Sequence, residues 1–322
     1  MKKILIIRLS SLGDIVHTYP MVYDIKKNVP DCQIDWLVDE AFVDIVSLCP
    51  GINEAITVPL RKWKKNKLQA LFNFLLWKKS IKNKNYDFII DSQGLGKSAI
   101  LTKVFNGNTY GFDTNSVREK LATKFYTNKY EIDENNLAIT KYRLLGKKIF
   151  NYKIDIKEVN FGLIEDKSKK NVIVLDKYVI FFHATSKPNK EYGVNNWATL
   201  ADYLIKVYKL KVMLPFGNDG EKNQALQIKK IVDSDKVEVF DNVLDYFTLA
   251  NLINKSEFVF GVDTGLIHLA NAMNKPLIAI FVDSDPHKTG IFESNIAKNI
   301  GDSKKPPLIT DVIDLFEKIK KK

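Results

Sequence analysis

The sequence predicts an α/β protein built from two doubly wound domains facing each other across a cleft, and three observations carry that expectation. Apolar strand-like runs alternate with helix-length amphipathic segments along nearly the whole chain, the pattern of βαβ units and of a parallel sheet covered on both faces. The alternation weakens between residues 150 and 177 into the charged stretch NYKIDIKEVNFGLIEDKSKKNVIVLDK and then restarts. The length, 322 residues, exceeds what one hydrophobic core usually organises. Domains are therefore expected over residues 1-165 and 166-322.

In the first half the expected strands are KILIIRL, QIDWLV, AITVPL and YDFIIDS; in the second they are YVIFFHAT, KVMLPF, KVEVF, EFVFGVD and PLIAIF. Apolar residues at 45% and charged residues at 27% describe an ordinary globular chain. Cys32 and Cys49 have no CxxC spacing, so neither a disulfide framework nor a zinc site is expected. The N-terminus opens on a strand without the pattern of a signal peptide, and no run approaches the roughly 20 apolar residues that span a bilayer. A cytoplasmic protein is expected.

A formal net charge of +11 favours polyanionic partners, whether nucleic acid, anionic lipid or phosphorylated substrates. Part of the excess is local: from Arg61 to Lys84 there are nine Lys or Arg and no acid, with the apolar segment LQALFNFLLW between the basic flanks. That composition suits a helix on an anionic membrane surface. It also suits a buried helix with solvated ends.

Ligands of open α/β sheets bind beyond the carboxyl ends of the strands, and every distinctive cluster falls there. Asp14 follows the first strand at the start of a helix, where it is either a first-turn acid that complements the dipole or a general base. DSQGLGKS follows another strand but is no phosphate loop of the Walker type, because Asp91 stands where that loop needs Gly. HATSKPNK offers Thr185, Ser186, Lys187 and Lys190, hydroxyl and ammonium donors that suit a diphosphate. Glu221, after PFGNDG, could accept from ribose hydroxyls or simply favour a helix start. In FGVDTGLIHLANA, Asp263, Thr264 and Gly265 lead a strand into a helix N-terminus, and His268 follows Thr264 by one turn; phosphate binding and plain helix capping are both open. The DSD of Asp283 to Asp285 is too small a ligand set for a hard cation, and no metal is expected.

Taken together, RLSSLGDIVHTYP, IDWLVDEAF, VPLRKWKK, DSQGLGKSA, YGFDTNSVREKLATKFY, HATSKPNKEY and VDTGLIHLANAMNKPLIAIF resemble, in order and over nearly the full chain, the lipopolysaccharide heptosyltransferases, the type I members most. The resemblance implies two Rossmann-like domains of the GT-B kind, the first binding the acceptor and the second binding ADP-heptose. It implies metal-independent, inverting transfer of L-glycero-D-manno-heptose from ADP-heptose to the first Kdo of Kdo-lipid A, at the inner face of the inner membrane. No cofactor and no nucleic acid are implied, and an anionic inner-membrane surface is a partner. By position, Asp14 matches the catalytic base. Thr185, Ser186, Lys190, Glu221, Asp263, Thr264, Gly265 and His268 match donor-side residues, and Arg61, Lys62, Lys64, Lys97 and Arg118 match basic acceptor-side positions. Thr114 stands where the family usually carries Trp, and EYGVNNW where a Trp-Pro pair is common. The alternatives are a type II heptosyltransferase or another ADP-heptose-dependent enzyme, a non-catalytic nucleotide sensor, and, from a different class, a basic nucleic-acid-binding protein.

Overall fold

The computed structural model describes residues 1–65, 67–81, 84–163, 176–185 and 187–321, with backbone only at 64, 65, 67 and 68. The chain divides into two compact units, Met1–Leu163 and Ile164–Lys322. The first runs β1 (Lys2–Ile7), α1 (Leu12–Asn28), β2 (Cys32–Asp39), α2 (Val43–Leu48), β3 (Glu54–Val58), α3 (Leu60–Lys65), α4 (Lys67–Ser80), β4 (Asn85–Asp91), α5 (Gly96–Thr102), β5 (Asn106–Phe112), β6 (Asn128–Tyr130) and α6 (Ala138–Phe150). The second runs β7 (Tyr178–Phe182), α7 (Val194–Tyr208), β8 (Lys211–Leu214), α8 (Asp219–Val232), β9 (Val237–Val239), α9 (Tyr246–Lys255), β10 (Phe258–Val262), α10 (Gly265–Ala272), β11 (Leu277–Ile280), α11 (Pro286–Thr289), β12 (Ala297–Ile300) and α12 (Ile309–Lys320).

Among the described residues each unit holds one six-stranded sheet, all of whose pairings are parallel, in the order β3-β2-β1-β4-β5-β6 and β9-β8-β7-β10-β11-β12. The two orders are the same when each unit is counted from its own first strand. Winding reverses between β1 and β4 in one sheet and between β7 and β10 in the other, which is where an open α/β sheet leaves a crevice.

The central strands are the ones that the apolar patterning predicts, because a strand covered on both faces must be apolar along its length. Residues 4–7 of β1 and all of β10 are buried. The strands β5, β6 and β12 were not anticipated. β5, NGNTYGF, has glycines at 107 and 111 and three exposed residues at its start, β6 is three residues long, and β12 reads AKNI at a sheet edge. Gly111 has a steric role: a Cβ there would lie 2.6 Å from Tyr126 Cδ2, so its absence lets the Tyr126 ring lie on the strand.

Helices cover both faces. In the second unit Phe181 meets Phe260 edge to face and Phe260 meets the tilted ring of Phe316 from α12, both at 5.5 Å between centroids, and Trp197 of α7 packs 4.9 Å from Phe181. In the first unit α1 packs against α6, where Gly146 opens the space that Met21 fills; a Cβ at 146 would stand 2.9 Å from Met21 Cγ. That contact carries a buried ion pair. Arg143 Nε of α6 donates to Asp24 Oδ2 of α1 at 2.7 Å, and its Nη1 donates to the Glu158 carbonyl at 2.6 Å, tying down the chain beyond α6. Deleting one partner of such a pair strands the other charge in a dry site, so Asp24→Ala is expected to destabilise the first unit by about 3–5 kcal/mol in denaturant melts.

Candidate active site

Arg8 extends the line of β1 into the β1–β4 crevice and is 1% exposed. Its Nη2 donates to the carbonyl of Ser92, just past β4, and its guanidinium carbon lies 4.2 Å from the centroid of the Tyr142 ring. Two more bonds join the loops: Leu9 N–H donates to Gln93 Oε1 at 3.0 Å, and Ser92 N–H donates to the Ile7 carbonyl at 3.2 Å.

Asp14 stands in the first turn of α1, behind the N-cap residue Ser11. Its Oδ2 accepts from the Ser11 N–H at 3.3 Å and the Ser11 hydroxyl at 3.1 Å. Its Oδ1 accepts from the Tyr142 hydroxyl at 3.2 Å, a residue of α6 that lies 128 positions away. An acid that did no more than cap its own helix would not need the second partner. Burial alone would raise the Asp14 pKa, but the Arg8 charge, then His17 and the two Ser11 bonds, outweigh it and leave the carboxyl below its ordinary value. Asp14 is therefore an anion at neutral pH with a lone pair to spare, able to take a proton. Burial, with Asp14 beside it, raises the Tyr142 phenol against the pull of Arg8, so Tyr142 stays a hydrogen-bond donor.

Asp91 has a role the failed phosphate-loop pattern did not suggest. Fully buried, it accepts from the Gln93 and Gly94 N–H groups at 2.9 and 3.2 Å, the Ser98 hydroxyl at 2.8 Å and the Tyr126 hydroxyl at 2.6 Å. Burial nonetheless lifts its pKa above the ordinary value. It knots the DSQGLGKS loop so that Lys97 is exposed beside the segment carrying exposed Arg118; Glu119 accepts from the Gly96 N–H at 2.6 Å, and its own N–H donates to the Gly94 carbonyl at 3.0 Å. Arg61 and Lys62, on α3, are largely exposed but already paired, Arg61 with Asp39 at 3.8 Å and over the Phe42 ring, Lys62 with Glu40 at 3.0 Å. The side chain of Lys64 and all of Ser186 lie outside the described residues. Half-buried Lys141 was missed by the sequence reading. Burial first, with Arg8 and Arg118 nearby, lowers its pKa against Glu134 and Asp133, placing a further cation in this region.

In the second unit the crevice between β7 and β10 gathers the other residues. Lys190 Nζ donates to Asp263 Oδ2 at 2.5 Å, with the side chains 19% and 10% exposed, and the Thr185 hydroxyl donates to the Asp263 carbonyl at 3.1 Å. Thr264 is the N-cap residue of α10 in extended backbone geometry, and its hydroxyl makes no capping bond. With the Asp263 carboxylate drawn onto Lys190, no side chain among the described residues caps α10, so its first-turn N–H groups and positive dipole end can meet an anion. Gly265 begins that helix, and His268 is buried on it. Glu221 is more occupied than a ribose acceptor need be: it accepts from the Gly217 N–H at 2.7 Å and the Asn218 amide at 2.8 Å, while its own N–H donates to Asn218 Oδ1 at 3.1 Å, a reciprocal cap of α8. His183 Nε2 lies 3.0 Å from the Glu221 carbonyl and holds this cap against the end of β7; burial lowers the His183 pKa despite that bond. The DSD carboxylates have local partners: Asp283 accepts from the Asn189 amide, and Asp285 caps α11 through the His287 N–H at 2.9 Å. Among the described residues no group of three His, Cys, Asp or Glu is placed to hold a metal ion.

Residues 75–309 match the model of glycosyltransferase family 9 (heptosyltransferase). The chain belongs to that family. Family 9 relatives accompany it along its length: lipopolysaccharide heptosyltransferase 1 of Salmonella typhimurium is 31% identical over 91% of this chain and 92% of that protein, and the Campylobacter coli protein of the same name is 34% identical over 94% and 90%. Among solved structures, Escherichia coli heptosyltransferase WaaC with ADP superposes with a TM-score of 0.88 at 28% identity, covering 98% of this chain and 99% of that one. Escherichia coli heptosyltransferase II, at 20% identity and a TM-score of 0.77, shares the fold.

The Tyr142 hydroxyl favours the ionised form of Asp14, so losing it raises the Asp14 pKa. Tyr142→Phe is expected to move the acid limb of the transferase pH profile to higher pH and to lower kcat by about 2- to 10-fold, leaving donor affinity unchanged. An unshifted limb would separate Tyr142 from Asp14.

Proposed function

We propose that this chain is a type I lipopolysaccharide heptosyltransferase, an inverting GT-B enzyme that moves L-glycero-D-manno-heptose from ADP-heptose to the first Kdo of Kdo-lipid A. The single observation that carries this reading is the agreement along nearly the whole chain with proteins named heptosyltransferase 1 and with WaaC, one of whose structures holds ADP-2-deoxy-2-fluoro heptose. The acceptor is lipid-anchored, so the reaction belongs at the inner face of the inner membrane. Among the described residues no helix is long and apolar enough to cross a membrane, and association there would be peripheral.

In this reading the first unit takes the acceptor and the second the donor. A Kdo hydroxyl attacks the anomeric carbon of the heptose from the face opposite ADP. The new C–O bond forms as the bond to the diphosphate oxygen breaks, the hydroxyl proton passes to Asp14, and ADP departs with the electron pair. Arg8 costs Asp14 some basicity but keeps it free of a proton at neutral pH, which suits a hydroxyl that becomes acidic only as it attacks. Negative charge growing on ADP is met by Lys190 and by the N–H groups at the start of α10, with the Thr264 hydroxyl as a further donor, while Thr185 holds the Asp263 carbonyl in place. Lys190 and the helix end then supply the charge that a metal would otherwise bring. Lys97, Arg118 and Lys141 are the cations we assign to the acidic acceptor; Arg61 and Lys62 would exchange their Asp39 and Glu40 partners for it.

Asp14→Asn keeps the shape of the site and removes the base. It is expected to retain ADP-heptose binding, measured by calorimetry, while turnover falls by about 100-fold or more. Near-normal turnover would remove Asp14 from the role. Chelation of divalent cations with EDTA is expected to leave the rate unchanged, and a loss restored by added magnesium would make the transfer metal-dependent.

A further inference from the structure

The helix α4 is apolar on two faces, and the fold uses one of them. Phe74 and Trp77 turn toward the sheet, where each packs 5.7 Å from the Trp63 ring of α3 and their own rings lie 6.0 Å apart, and Trp77 Nε1 donates to the Thr57 carbonyl at 2.7 Å. On the opposite face Leu71, Phe72, Leu75 and Leu76 are exposed to 70%, 64%, 54% and 51%. Their spacing, i, i+1, i+4 and i+5, makes one continuous stripe along two turns. Isolated apolar residues on a surface are ordinary; four large ones on one helix face are not.

The surroundings of the stripe are cationic. Exposed Lys78 and Lys79 lie in its last turn and have no ion pair among the described residues, Lys79 on the stripe's own side of the helix. Arg61, Lys62 and Lys84, nearby in sequence, are paired with Asp39, Glu40 and Glu54, so the unpaired charge beside the stripe is that of Lys78 and Lys79, and the segment itself has no acid from 61 to 84. A second copy of this chain would be a poor cover, since a two-fold contact through the stripe would bring together two copies of a segment that has basic residues at both ends and no acid. A neutral protein groove would leave the lysines unanswered. A bilayer with anionic headgroups answers both features: the leucines and Phe72 enter the boundary between headgroups and acyl chains, and the lysines extend to the phosphates.

We infer that α4 is the membrane-docking element of the first unit, with the Leu71, Phe72, Leu75 and Leu76 face seated in an anionic lipid surface. The inference deepens the inner-membrane part of the proposed function, but it stands on the exposed stripe and not on the catalytic residues. Trp63 and Trp77 then serve as the rigid backing that holds the stripe outward.

The test is flotation of the whole protein with vesicles of phosphatidylglycerol and phosphatidylethanolamine, and with vesicles of phosphatidylcholine alone. The wild type is expected to float with the anionic vesicles and far less with the zwitterionic ones. A Phe72→Gln, Leu76→Gln variant is expected to lose at least about tenfold in partitioning, from the apolar area no longer buried, and Lys78→Gln, Lys79→Gln to lose a comparable amount that high salt mimics. Both variants change exposed positions, and thermal melts matching the wild type would show that they are folded. Transfer to a detergent-dispersed acceptor is expected to be unchanged in both, which separates failure of docking from failure of the enzymatic reading. Anionic-vesicle binding that is indifferent to Phe72 and Leu76 would overturn the inference. So would a wild type that ignores vesicles and self-associates through this face.

Discussion

Where a parallel sheet reverses its winding, two neighbouring strands send their connections off to opposite faces, and the loops at that point must be held by something other than a helix packed over them. This constraint organises both units. In the first, a guanidinium does the holding: Arg8 leaves β1, donates to the Ser92 carbonyl beyond β4 and rests on Tyr142. In the second, a lysine does it: Lys190 from beyond β7 pairs with Asp263 beyond β10, and Thr185 donates to the same residue's carbonyl. Each holding group is a cation in a partly desolvated crevice, where it acts on nearby charges far more strongly than in water. The residues that close the fold at these points are thus the same residues that give each crevice its electrostatics.

The consequences differ between the two units. Arg8 is buried deeply enough that its work is done on a neighbour, keeping Asp14 ionised against the cost of burial. Lys190 keeps 19% of its side chain exposed, and by holding the Asp263 carboxylate it leaves the start of α10 uncapped. In the proposed function one crevice presents an anion that would accept a proton, the other a lysine and N–H groups that would receive a diphosphate. General-base attack and departure of a nucleoside diphosphate need that division of labour.

Much of this was legible in the residues because apolar runs and strand-end clusters are local signals. Asp263 and Thr264 directly follow the buried strand β10, while Asp14 and Lys190 lie on the connections that leave β1 and β7, so all four fall at the strand carboxyl ends where the sequence pattern directs attention. What was illegible depends on contacts distant in sequence. Arg8 lies inside an apolar run and looks like its polar end; only the fold brings Tyr142 across 128 positions to pair with Asp14. Asp91 read as a defect in a phosphate loop, because nothing local shows that Ser98 and Tyr126 converge on it. Glu221 had two readings, and the structure supplies a full local account through Asn218 and Gly217 without needing ribose. The strands β5, β6 and β12 escaped notice for the opposite reason: short, polar or glycine-bearing, they depend on the neighbouring strand and not on their own patterning. For α4 the composition fitted either a buried helix or a membrane-surface one, and the structure shows a helix that is buried on one face and bare on the other.

Whether this chain adds the first heptose is decided by its choice of acceptor. Purified protein would be given ADP-heptose with either Kdo-lipid A or the same acceptor already carrying one heptose, following ADP release and product mass. A type I enzyme gives a gain of one heptose on Kdo-lipid A and none of comparable rate on the heptosylated acceptor. Transfer to the heptosylated acceptor alone would contradict the type I reading and make the chain a type II enzyme with the same donor crevice.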